Sequence, residues 1–114
     1  MINSSIKKME CFMFSGCTSL TKIELPSSIR VIESNSFTRC SLLEELTLLP
    51  SLTYIDSYAL SGCSSLTSLS FPSSEKSIGK GVFNGCTSLK KITIPSSLRI
   101  NRSGINQDVI VERF

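Results

Sequence analysis

Apolar side chains recur along this chain at a fixed step of 23 residues. Leu20, Leu43, Leu66 and Leu89 keep that step, as do Ile23, Leu46, Leu69 and Ile92, and then Leu25, Leu48, Phe71 and Ile94. Within each unit the segment Leu-x-x-Ile-x-Leu holds an alternating pair, such as Ile23 and Leu25 around Glu24. Alternation marks a half-buried strand. It predicts strands near residues 22–25, 45–48, 68–71 and 91–94. Pro26, Pro72 and Pro95 follow and stop the strand, since proline cannot continue a ladder. Two serines then make the turn. Apolar positions three apart come next: Ile29 and Ile32, Leu52 and Ile55, then Ile78 alone. They predict a second short extended piece or bend on another side of the coil. The stretches SNSF, SYAL and GKGVF bring in Phe37, Leu60 and Phe83 of the column that Phe14 begins, and read as a helical turn or 3-10 piece.

Cys17, Cys40, Cys63 and Cys86 share the same step. Gly16, Gly62 and Gly85 precede three of them, where glycine permits a left-handed backbone angle that closes the coil. Arg39 takes that place in the second unit. A repeat of this length is a solenoid signal. One unit has nothing of its own to bury its apolar side chains against, so neighbours must stack and pair with it. The expected fold is a solenoid of about four rungs, with parallel strands on one face and short extended or 3-10/helical turns on the other.

Stacked rungs place ladder cysteines about 5 Å apart, near strand spacing. Parallel side chains at that distance fit the disulfide dihedral poorly. Free, buried thiols acting as small apolar residues are expected. Cys11 is out of register, where Ser34, Ser57 and Lys80 stand in later rungs. Zinc needs paired ligands. The chain has no histidine and no Cys-x2-Cys pair, so no metal or other cofactor is expected.

Composition changes the picture little. Of 114 residues 23 are serine, and they alternate with the apolar ladder as turn and surface positions. The net charge of +3 divides unevenly. Residues 1–75 carry five Lys/Arg and seven Asp/Glu, a net of −2, and residues 76–114 carry seven and two, a net of +5. The basic residues are dispersed with no aromatic platform among them, which argues against a nucleic-acid partner. No apolar run approaches the ~18 residues of a membrane span, so direct membrane insertion is not expected. No secretory signal is visible after Met1.

The motifs FSGCTSLTKIELPSSIRVI (14–32), LSGCSSLTSLSFPSS (60–74) and FNGCTSLKKITIPSSL (83–98) resemble the leucine-rich repeats of the BspA-like class, also called the Treponema pallidum type. FTRCSLLEELTLLPSLTYI (37–55) departs most, with Leu49 moving the proline to Pro50. The likeness covers about residues 3–100. It implies a right-handed curved solenoid with parallel strands lining one face. Members are typically surface antigens of bacteria and of parasitic or commensal protists, some implicated in adhesion to matrix proteins or other cells. The resemblance therefore implies a cell-surface or secreted protein, while the missing signal leaves a cytoplasmic one open. The family brings no catalytic motif.

Residues 3–100 read as the repeat array and 101–114 as an irregular tail or cap. Asn3, Ser4, Ser5, Ile6 and Met9 align with the Pro-Ser-Ser-Ile part of a rung, so the chain begins inside a repeat. Glu75 stands where an apolar residue is due, which predicts an outward bulge, and Asn101 stands where the next Ile would be. The stretch Val109–Val111 fits either a last capping strand or a frayed terminus.

No enzyme constellation survives inspection. Without histidine, Ser-His and Cys-His nucleophile systems are excluded. Glu44 and Glu45, adjacent on a strand, are expected to point to opposite sides, a poor acid–base pair. Gly79-Lys80-Gly81 lacks the remaining positions of a phosphate loop. Asn3-Ser4-Ser5 and Asn101-Arg102-Ser103 are glycosylation sequons, relevant only to a protein secreted by a eukaryote. The candidate protein-binding face is the outward set on the strands: Lys22 and Glu24, Glu45 and Thr47, Ser68 and Ser70, Lys91 and Thr93. The expected function is a non-enzymatic binding module, of adhesin or antigen type, for a protein ligand in the extracellular matrix or on another cell. An intracellular repeat scaffold, or a piece of a longer array without separate activity, are the alternatives.

Overall fold

The computed structural model describes residues 6–74, 77–100, 105 and 108–114. The expectations placed on Asn3–Ser5, Glu75 and Asn101–Ser103 lie outside them. Each 23-residue unit makes one turn of a parallel β-solenoid, and no helix occurs among the described residues.

Two sides of the coil are strands. On the first lie β2 (Lys22–Glu24), β4 (Glu45–Thr47), β6 (Ser68–Ser70) and β8 (Lys91–Ile94). Each begins at a predicted position, because the alternating pair sends one residue into the core and its neighbours out. On the second side β1 (Lys8–Met9), β3 (Val31–Ile32), β5 (Tyr54–Ile55) and β7 (Ser77–Ile78) form a parallel ladder of two-residue strands. Their registers, Ile32 on Ile55 and Ile55 on Ile78, keep the 23-residue step. The second extended piece expected from Ile29, Ile32, Leu52 and Ile55 is therefore a true sheet.

The third side carries the short turns expected there, each closed by a single i to i+3 bond, with no continuous helix. It is a series of isolated turns, such as Ser15 N–H to the Phe12 carbonyl at 3.1 Å and Cys17 N–H to the Phe14 carbonyl at 3.1 Å. Left-handed residues interrupt them and stop a helix from propagating. One such column is the expected one: Gly16, Arg39, Gly62 and Gly85 have φ of 74°, 62°, 81° and 76°. A second column was not expected: Phe12, Asn35, Tyr58 and Gly81 have φ of 61°, 60°, 60° and 68°. The two columns turn backbone groups toward the adjacent rung. Thus Gly16 N–H donates to the Thr38 carbonyl (2.8 Å), Arg39 N–H to Ser61 (2.8 Å) and Gly62 N–H to Asn84 (2.7 Å).

The core is the stacked apolar columns. Leu43, Leu66, Ile92, Phe37 and Leu60 are fully buried. Phe14 stacks on Phe37 with ring centroids 5.4 Å apart. Each such side chain contributes roughly 1.5–3 kcal/mol when fully buried, which opposes the ordering entropy of its rung. Serine accounts for much of the polar bonding between rungs. The Ser51 hydroxyl donates to the Ile29 carbonyl and the Ser74 hydroxyl to the Leu52 carbonyl, each at 2.6 Å. Ser36, fully buried, places its hydroxyl 2.6 Å from the Glu33 carbonyl.

All five cysteines are free. Cys40, Cys63 and Cys86 are buried, whereas Cys17 in the first rung is only half-buried. Each buried thiol donates to a carbonyl of the preceding rung: Cys40 to Phe14 (3.0 Å), Cys63 to Phe37 (3.3 Å) and Cys86 to Leu60 (3.3 Å).

Of the two readings of the C-terminal stretch, a strand forms. β9 (Ile110–Arg113) lies parallel to β8, with Lys91 opposite Ile110 and Ile92 opposite Val111. Its end is tied down. The Phe114 backbone oxygen accepts from the Ser96 N–H (2.7 Å) and hydroxyl (2.6 Å), and Arg113 Nη1 donates to the Leu98 carbonyl (2.8 Å).

Candidate binding face

The first strand side carries two outward rows. Lys22, Glu45, Ser68 and Lys91 make one, and Glu24, Thr47, Ser70 and Thr93 the other. All are exposed except Thr93, which is half-buried. The inward partners Leu46, Leu69 and Ile92 are buried, so the pleat itself fixes which side chains face out. Lys22 stands directly opposite Glu45, with Nζ 3.5 Å from Oε2, and in the last coil Lys91 reaches diagonally to Glu112 at 2.9 Å. Both pairs are largely exposed and contribute at most about 1 kcal/mol each.

The row is not one continuous ladder. β2 pairs only with β4, while β6, β8 and β9 form a separate sheet, so no ladder joins β4 to β6. Elsewhere the same two rungs stay bonded: Phe37 N–H donates to Ala59 (2.9 Å) and Arg39 N–H to Ser61 (2.8 Å). A groove of about 470 Å³ opens over the break, lined by Glu44, Glu45, Thr47, Thr67, Ser68 and Ser70. An adjoining hollow of about 340 Å³ runs from Glu44 and Glu45 past Ser65 and Thr67 to Ser88.

This geometry corrects one expectation. Glu44 precedes β4 instead of lying within it, so strand alternation does not apply to it. Glu44 and Glu45 both line the same groove. Residue-by-residue reading of the strands missed Glu44, Thr67 and Lys90. They flank the strands, and the 23-residue step alone was enough to align them on one exposed edge.

Elsewhere Asp56, Tyr54, Cys63 and Cys86 are occupied structurally. Asp56 accepts from the Ser57 N–H (2.7 Å) and the Tyr54 hydroxyl (3.0 Å). The Ser57 bond in particular holds its carboxyl below the usual range, and the bond to Asp56 pushes the Tyr54 phenol up. Burial pushes the Cys63 thiol up to about 12 and the Cys86 thiol to about 11, which keeps both protonated and poorly nucleophilic. Among the described residues no three His, Cys, Asp or Glu side chains converge as a metal site. No helix among them is long and apolar enough to cross a membrane.

The fold and its period can be set beside known proteins. A profile described as a BspA type leucine rich repeat region (6 copies) matches residues 1–108. The chain belongs to the BspA-type leucine-rich repeat family. Its fold is similar to the leucine-rich repeat protein of T. pallidum (TpLRR), with 30% identity and a TM-score of 0.75 over 95% of this chain and 45% of that one. A leucine-rich repeat protein from Bacteroides ovatus ATCC 8483 shares the fold at 24% identity and a TM-score of 0.67, over 99% of this chain and 36% of that one. This BspA-type chain thus spans less than half the length of either structure. No curated protein matches it.

Proposed function

We propose that this BspA-type chain is a non-enzymatic protein-binding module of surface-antigen type. It engages its ligand through Lys22, Glu24, Glu45, Thr47, Ser68, Ser70, Lys91 and Thr93. The observation that supports this most is the alignment of these side chains in two outward rows on a stack of short parallel strands. Rigid elements that display polar groups at fixed spacing suit recognition of a protein surface. The rows contain no aromatic anchor, so each contact is weak, and many copies displayed together make it avid. The family's typical place on cell surfaces supports an extracellular matrix protein or another cell's surface as ligand.

The free cysteines favour a second reading, an intracellular scaffold that uses the same face, because reducing compartments keep thiols reduced. Antibody labelling of intact against permeabilised source cells separates the two. Binding is tested on immobilised matrix proteins with the wild type, with Glu24→Arg/Thr47→Arg on the strand face, and with Arg30→Glu beside β3 on the second strand side. The proposal expects labelling of intact cells and binding lost only in the strand-face variant. Equal binding by all three overturns the face, and labelling only after permeabilisation overturns the location.

A further inference from the structure

We infer that the strand face docks a second copy of this chain, about a two-fold axis running along β6. This rests on the reading of that face as a protein-binding surface, and it names a partner for it.

Two columns of charge cross the strand face. Glu44, Thr67 and Lys90 stand at the same place in successive rungs, and Glu45, Ser68 and Lys91 stand beside them. Between the third and fourth rungs the alignment is physical as well as sequential, and the 23-residue step extends it to the second rung. Ser68 is opposite Lys91 in the ladder, and the Lys90 N–H donates to the Thr67 carbonyl at 2.8 Å. Both columns therefore run from acid through a neutral hydroxyl to base. All six side chains are exposed, and no ion pair engages Glu44 or Lys90 among the described residues.

A pattern of this kind is complementary to itself. A two-fold rotation about the β6 direction reverses the order of the rungs and preserves the direction of the strands. The second rung of one copy then meets the fourth rung of the other. Glu44 faces the partner's Lys90 and Glu45 faces the partner's Lys91, and each contact occurs twice, as an isologous interface requires. Thr67 and Ser68 lie on the axis, where small side chains let the two faces approach. The groove over the β4–β6 break lies beside this axis, with Thr67 and Ser68 on its rim.

Leu42 adds an apolar element. It is the exposed large apolar side chain of an interior rung, and it occupies the place held by Ser65 and Ser88 in the next two. Those serines line the hollow that begins at Glu44. The partner's Lys90 can lay its aliphatic stem along Leu42 while its ammonium reaches Glu44. At the periphery Lys22 meets the partner's Ile110, and Glu24 meets the partner's Glu112, which its own Lys91 already holds. Lys22 already holds Glu45 and Glu112 already holds Lys91 within one copy, so the attraction is concentrated in the column of Glu44 and Lys90.

A basic segment of another protein offers the same charge, but it must first be ordered at the right spacing, whereas the solenoid holds these lysines in place already. The molecule measures 36 × 29 × 19 Å, and the strands occupy a fraction of one side. The contact thus falls below the ~800 Å² per partner of a standard interface. Association is expected to be weak and strongly dependent on salt.

Sedimentation equilibrium over a concentration series into the millimolar range tests the inference at low and high salt. The wild type should dimerise at low salt and dissociate as salt rises. Glu44→Lys and Lys90→Glu should each weaken self-association by at least ~10-fold, with unchanged circular dichroism. Mixing the two variants should restore the dimer, because the heterodimer regains both pairs of opposite charge. A wild type that stays monomeric throughout overturns the inference and leaves ligand binding by this face to its own test. A dimer that ignores both reversals, or a mixture that fails to recover, overturns it as well.

Discussion

The Tyr58 ring fills the space that a side chain on Gly81 would need. A Cβ on Gly81 would fall 2.5 Å from Tyr58 Cδ1 and 3.1 Å from Cζ. Both residues belong to the second left-handed column, with φ of 60° and 68°. The ring of one rung therefore packs over the bare backbone of the next, at a position where the backbone itself favours glycine.

Gly81→Ala combines the two costs. The left-handed conformation costs a residue with a side chain roughly 1–2 kcal/mol, and displacement of the ring costs about as much again. Urea denaturation should show a loss of roughly 2–4 kcal/mol. In a Tyr58→Ala background the same substitution should lose only the backbone part. Equal losses in both backgrounds would place the ring elsewhere.

Arg39 offers the converse. It holds φ of 62° in a column where the other rungs have glycine. Arg39→Gly removes the strain at the expense of a looser unfolded chain, and a net stabilisation of about 0.5–1 kcal/mol is expected. A lowered melting temperature would show that contacts of the arginine side chain outweigh the strain.

The thiol ladder gives a pH dependence with a definite sign. Unfolded cysteine ionises near 9.0, while buried Cys63 holds its proton to about 12. Above pH 9.0 the unfolded chain releases protons that the folded chain keeps, so stability falls as pH rises toward about 12. The readout is the difference between wild type and Cys63→Ala, whose slope should be shallower. In the native state a thiol reagent should modify exposed Cys11, although partial desolvation and neighbouring Glu33 hold its thiol protonated. Cys40, Cys63 and Cys86 should react only on unfolding.

What the sequence made legible follows from where the repeat leaves a chemical mark. The strands on the first side were readable because Ile23 and Leu25, Leu46 and Leu48, and Ile92 and Ile94 alternate strictly around polar residues. The first left-handed column was readable because glycine fills three of its four places. The second column was not, because Phe12, Asn35, Tyr58 and Gly81 share a backbone angle and no side-chain property; only Asn35 and Gly81 favour that region on their own. The stretches SNSF, SYAL and GKGVF do not distinguish single i to i+3 turns from a short helix, because both bring the same residues together. The open ladder between β4 and β6 left no mark, since Leu46 and Leu69 keep the same step as every other pair. Glu44 was misplaced for a related reason: it is one residue outside the strand whose alternation was applied to it.

The central claim is the register, which decides what lies in the core and what lies on the face. Adjacent Leu66 and Thr67 test it most directly: Leu66 is fully buried between rungs and Thr67 is exposed at the groove. Thermal melts followed by circular dichroism should show Leu66→Asp without a cooperative transition, because an unpaired buried charge costs far more than one rung can supply. Thr67→Asp should melt within about 0.5 kcal/mol of the wild type. A normal melt for Leu66→Asp would contradict the register and every outward position assigned from it.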